Sequence, residues 1–280
     1  MEYENQHWVT KSYLKAWCDP KTPNNGAYVW TVSKDSHIVS RKSPRILFSE
    51  ADFYTFYDSN GNRNVDFEKW LQKIEDDFIL VYRDKLGNRK PLTDADFRSV
   101  AMFIATMFAR VKKQRDQQRE MWQNLLDQFG ELPKDTQDYL MATGKHDQIV
   151  NLRNQPMLYN IINFANVAMP FLSKMHCEIL ETETKPGFIT SDNPCFLIDP
   201  AIYSSNPPKD WFSLFSSQAA EIIFPISPRQ AISLKPNGPD IYMSIDKVPE
   251  AIDGINKLIA WNSDEFIVLN QKEYKEFWFG

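Results

Sequence analysis

Two apolar stripes at helical spacing fill the middle of the chain, with strand-like segments on either side. This order limits the possible folds more than any other feature. Phe67, Trp70, Leu71, Ile74, Phe78 and Val81 recur at three- and four-residue intervals over 65–85, the spacing that buries one face of a helix. Gly87-Asn88 closes that helix. Thr93, with Asp96 three residues on, resembles a capping box, and Phe97, Val100, Ile104, Met107, Phe108 and Val111 carry the stripe toward Phe129. One long helix stopped by Gly130 is therefore expected. Helices over about 134–144 and 155–173 follow, the second bounded by Pro156 and Pro170.

Before the stripes, Trp8, Tyr13, Leu14 and Trp17 suit a short helix, and Asn24-Asn25-Gly26 a turn. Residues 28–33 and 37–41 read as a hairpin, 46–57 as β-prone, and 58–62 as a polar turn. Beyond the helices, 175–182, 187–191, 221–225, 230–234 and 265–269 read as strands and 248–261 as a helix, with a long loop over 199–217. Regular βα alternation is missing, so the expected class is α+β: N-terminal strands, a long-helix middle and C-terminal strands packed on the helices. A single domain over 1–280 is expected, with a helical sub-lobe at about 64–173.

Hydrophobic residues make up 42% of the chain, enough for a large core, and nine glycines disfavour a glycine-rich nucleotide fold. A formal charge of -5 gives no global field toward nucleic acid or an anionic membrane. Three widely spaced cysteines indicate neither a disulfide framework nor a thiolate zinc site. The polar, acidic start is unlike a secretory signal, and no apolar run approaches the roughly 20 residues that span a bilayer. Together these features point to a cytoplasmic protein with no membrane partner.

The stretch Phe188-Ile189-Thr190-Ser191-Asp192-Asn193-Pro194 ends a strand in four consecutive polar residues. Polar side chains delivered by a rigid element suit a site, although an Asx-type turn has the same composition. Gln6-His7-Trp8-Val9, then Tyr13-Leu14-Lys15-Ala16-Trp17, resemble the opening signature of a bacterial family known as domain of unknown function 4238. Ala51-Asp52-Phe53-Tyr54-Thr55, Ile74-Glu75, Arg110 after Phe-Ile-Ala, the 189–194 stretch and Phe224-Pro225-Ile226-Ser227-Pro228 resemble its later blocks, in order. Trp8 and Ile226 depart from it conservatively. The resemblance implies a shared architecture and a shared site without naming a reaction. The kind of family suggests a role in bacterial or phage defence.

His7, Glu75, Arg110 and Asp192 are the ionisable members of these blocks and are expected to meet. His7, Glu75 and Asp192 would then be catalytic, with Gln6, Arg110, Thr190, Ser191 and Asn193 binding substrate. His7 and Asp192 are the candidate ligands for a divalent metal, and Arg110 for an anionic group. This suggests a hydrolase of the nuclease or phosphate-ester type. The alternatives are a non-catalytic ligand-sensing or interaction module using the same residues, or a buried Arg110–Glu75 network. Lys112, Arg115 and Arg119 share a helix face that could meet phosphates or nucleic acid, yet the acidic and amide residues between them suit a solvated face. Ser191 lacks a nucleophile elbow, Glu183-Thr184-Lys185 is a weak nuclease-like tripeptide beside a turn, and Cys195 suits a small core residue.

Overall fold

The computed structural model describes residues 5–22, 26–57, 63–199 and 217–280. The expected turns at 24–25 and 58–62 and most of the 199–217 loop lie outside these residues. The class is α+β. Strands β1 (Asn5–His7), β2 (Val29–Ser33), β3 (Val39–Lys42), β4 (Ser49–Ala51), β5 (Phe56–Tyr57) and β6 (Arg63–Asn64) come first, with the single-turn helix α1 (Lys11–Leu14) after β1. Helices α2 (Asp66–Asp84), α3 (Asp94–Ala109), α4 (Lys112–Gly130), α5 (Lys134–Ala142), α6 (Lys145–Asn154) and α7 (Pro156–Leu172) form the middle. Strands β7 (His176–Glu181), β8 (Thr190–Ser191), β9 (Phe196–Ile198), β10 (Glu221–Ser227), β11 (Gln230–Lys235) and β12 (Tyr242–Ser244), helix α8 (Pro249–Asn262) and strand β13 (Phe266–Leu269) complete it.

A five-stranded sheet in the order β12-β7-β11-β10-β9 is joined by a four-stranded sheet, β3-β2-β13-β8. The period-two alternation of the larger sheet divides its side chains between two cores. Cys177, Ile179, Ile222, Phe224, Ile232 and Leu234 enter the core shared with α2, α3 and α7. Leu180, Ile223 and Ala231 enter the one shared with α8 and the smaller sheet. Phe224 is central to the first: Phe78 and Phe103 stack at 4.0 Å, Phe103 meets Phe224 edge-on at 5.9 Å, and Tyr13 stacks on Phe224 at 5.2 Å. Pro225 offers no N–H to the ladder, and the β10–β11 register shifts between Pro225 and Ser227.

The single long helix expected over 93–130 is two. The Thr93–Asp96 capping box forms as expected. At Arg110, however, the backbone leaves helical geometry (ψ 0°), and Val111 is extended (ψ 152°) before α4 starts. Spacing could not reveal this break, because the stripe changes character across it. Residues 103–109 of α3 are all buried, whereas α4 buries only Arg115 and Phe129. Two further differences are local. Residues 46–57 hold only the short strands β4 and β5 around tight turns, with Phe48 (φ 57°) and Asp52 (φ 58°) left-handed, and 187–191 holds only two strand residues.

Candidate functional site

The N-terminal signature is built by Gln6. Its Nε2 donates to Thr55 Oγ1 and Glu68 Oε2, both at 2.8 Å, and its Oε1 accepts from the Tyr54 N–H. Only 2% exposed, Gln6 ties β1 to the 51–55 block and to α2, so it is a clamp whose hydrogen-bonding groups are all engaged. The next residue faces the opposite way, as strand alternation requires. His7 lines a cleft of about 330 Å³ between α1 and α2, together with Lys11, Lys15, Glu68, Glu75 and Asp76. Glu68, Gln72, Glu75 and Asp76 form one stripe of α2, beside the apolar stripe that it buries.

The tautomer of His7 follows from its partner. Nε2 lies 3.2 Å from the Pro44 carbonyl, which can only accept, so Nε2 carries the proton and Nδ1 the lone pair of the neutral ring. Burial lowers the His7 pKa, and the charges of Lys11 and Arg110 lower it further, against the pull of the Pro44 and Arg45 carbonyls. His7 is therefore a neutral imidazole at pH 7. Glu75 moves the other way: burial raises its pKa, opposed by Arg110. Arg110, at 1% exposed, lies sealed beneath the cleft, donating to Glu75 Oε1 at 2.8 Å and to Met107 Sδ. The helix break turns Arg110 out of the α3 register at this point.

The structure thus brings His7, Glu75 and Arg110 together with Gln6 and places Asp192, Thr190, Ser191 and Asn193 elsewhere. Asp192 Oδ1 accepts from the Asp264 N–H at 2.9 Å, and Oδ2 from those of Glu265 and Phe266 at 2.6 and 3.1 Å. Burial pushes its pKa up to about 6 despite those three donors. Ser191 Oγ accepts from the Asn193 N–H, and the Asn193 and Asn262 side chains each reach the other's backbone carbonyl. Tyr13 must spend its proton on the Pro225 carbonyl at 2.7 Å, so the Thr190 hydroxyl donates to the Tyr13 oxygen, also at 2.7 Å. Gly187 (φ 84°) admits the Pro228 carbonyl where a Cβ would lie only 2.0 Å from it. The 187–194 stretch therefore locks β8, β13, α8 and the Pro225–Pro228 block together. Both Asp192 oxygens are directed at the 264–266 backbone rather than into the cleft that His7 lines. Among the described residues no group of three or more His, Cys, Asp or Glu could hold a metal ion.

Lys112 and Arg115 of the basic strip are engaged, as is the neighbouring Lys113, while Arg119 is exposed. Lys112 pairs with Glu265 at 2.8 Å and Lys113 with Asp264 at 3.1 Å. Arg115 is buried, pairing with Glu50 at 2.9 Å and lying over Phe53 at 4.7 Å. The shared solvated face expected for Lys112, Arg115 and Arg119 is corrected there, because Arg115 turns inward to the Glu50 carboxylate. Cys195 is buried, which raises its thiol pKa. Sequence reasoning missed Lys11, Lys15, Glu68 and Asp76. The signal available was four-residue spacing in both helices: 11 with 15, and 68 with 72 and 76.

No helix among the described residues is long and apolar enough to cross a membrane. No curated protein and no solved structure matches the chain. A family model, described as a protein of unknown function, DUF4238, matches residues 5–273 and so includes both the cleft and the 187–194 lock. Covering nearly the whole length, that match makes the chain a member of the DUF4238 family.

Proposed function

We propose that the protein binds a small polar ligand in the cleft between α1 and α2, with His7 as proton acceptor. The observation that carries this reading is the state of His7. Its Nε2–H is fixed by the Pro44 carbonyl, so the neutral ring that lines this charged cavity keeps its lone pair on Nδ1. The volume of about 330 Å³ suits a small molecule. The sealed Gln6 and Arg110–Glu75 contacts hold the floor rigid, which limits the ordering cost of binding.

The test is calorimetric titration of a panel of small polar molecules against the wild-type protein and His7→Ala. A ligand that raises the melting temperature and binds at least about tenfold more weakly to the variant supports the reading. Equal binding to both proteins, or no binding from any of the panel, overturns it.

Hydrolytic turnover is the second reading, and one observation favours it. The pKa values of His7 and Glu75 move in opposite directions within one cavity, which favours a neutral imidazole as base and a protonated carboxyl as acid. Under this reading His7 is the base and Glu75 the proton donor, oriented by Arg110. Turnover would show a bell-shaped pH profile whose acid limb disappears with His7→Ala and whose alkaline limb disappears with Glu75→Gln.

A further inference from the structure

The two walls of the cleft carry opposite charges that do not neutralise each other. Lys11 and Lys15, four residues apart on α1 and its continuation, are exposed and form no ion pair with a described residue. The facing stripe of α2 presents Glu68, Glu75 and Asp76. One oxygen of Glu75 is committed to Arg110 and one of Glu68 to Gln6, but the second oxygen of each, and both of Asp76, accept no hydrogen bond from a described residue. Arg110 offsets one of the three carboxylates, leaving two positive charges opposite two negative ones. A cleft balanced in this way repels neither end of a molecule carrying both signs, whereas an ion of one sign meets one favourable and one unfavourable wall.

We infer that the ligand of this cleft is a zwitterion. It would carry an ammonium or guanidinium group at one end for the α2 carboxylates and a carboxylate or phosphate at the other for Lys11 and Lys15. The inference rests on the reading of the cleft as a ligand site and adds the class of ligand. Such a molecule completes across the cavity the ion pairs that the protein leaves open. The neutral His7 ring accepts a hydrogen bond from it without adding charge.

The experiment is an amide-resonance NMR titration of the full chain with ω-amino carboxylates of increasing chain length, beside the matching alkylamines and alkyl carboxylates. At least one chain length should shift resonances of both walls and bind about tenfold or more tightly than either single-charge analogue. Lys11→Glu with Lys15→Glu should abolish that gain. Combining this with Glu68→Lys and Asp76→Lys, which exchanges the two walls, should restore it. No gain at any chain length overturns the zwitterion. If single-charge analogues still shift the cleft and are lost with His7→Ala, the ligand site stands and only its class is rejected. If no compound shifts any cleft resonance, both readings fall.

Discussion

The cleft beside His7 and the lock after β8 are both made from short polar stretches of the matched family blocks, yet they use their polar groups in opposite ways. In the lock, both Asp192 oxygens, the Ser191 hydroxyl and the Tyr13–Thr190 pair have partners within the protein. In the cleft, the ammonium groups of Lys11 and Lys15 and the carboxylate of Asp76 have none among the described residues. The N-terminal signature contributes to both: Gln6 and His7 build the cleft floor, while Tyr13 and Trp17 reach the lock, the latter through Trp17 Nε1 donating to the Phe188 carbonyl. A recognisable polar motif therefore says little about function until its hydrogen bonds are accounted for. Satisfied groups hold the fold, and unsatisfied ones are available to a ligand.

Glu75 offers the strongest way to break this comparison, because one of its oxygens is spent on Arg110 while its side chain lines the cleft. Glu75→Ala leaves the Arg110 charge sealed without its carboxylate and should cost about 3–5 kcal/mol in urea denaturation. Adding Arg110→Met should recover much of the loss. A cost below about 1 kcal/mol would mean that the guanidinium reaches water and that the cleft floor is open.

Asp192 comes next, through pH. Its folded pKa of about 6 lies above the ordinary aspartate value, so between about pH 4 and 6 the folded state binds more protons than the unfolded state. Its contribution is fully present below that window and is lost as pH rises through 6, by about 3 kcal/mol from the size of the shift. Relative to Asp192→Asn, the wild type should therefore lose stability as pH rises across the window. Parallel curves for the two proteins in urea titrations at successive pH values would show that the three backbone donors outweigh burial.

Smaller again is Tyr13→Phe, which leaves the Pro225 carbonyl and the Thr190 hydroxyl without their shared partner. It should cost about 1–2 kcal/mol by thermal denaturation. At the far end, Lys11→Ala and Lys15→Ala should stay within about 0.5 kcal/mol of the wild type. A large loss at either lysine would place it in the architecture and remove the contrast between cleft and lock.

Much of the fold was legible in the sequence. The stripe from Phe67 to Val81, the Thr93–Asp96 box and the strands around 176–181, 221–227 and 230–235 carry local signals, and the α+β order follows from them. The buried Arg110–Glu75 pair was among the sequence alternatives, but the break at Arg110 was not legible, because the apolar spacing runs on to Val111 without a gap. Nor was the separation of Asp192 from His7. A Thr-Ser-Asp-Asn-Pro stretch has the same composition whether it lines a site or closes a turn, and its partners at 264–266 lie more than seventy residues away.

What the sequence determined by itself was the order of elements, their amphipathic faces and the family, since periodicity and blocks of matched residues are local properties. The tertiary structure alone decided which polar residues are spent and which are free. That follows from hydrogen bonding and charge pairing between distant segments, where a change of one residue in register or a break in one helix moves a carboxylate from a ligand cleft to a backbone lock.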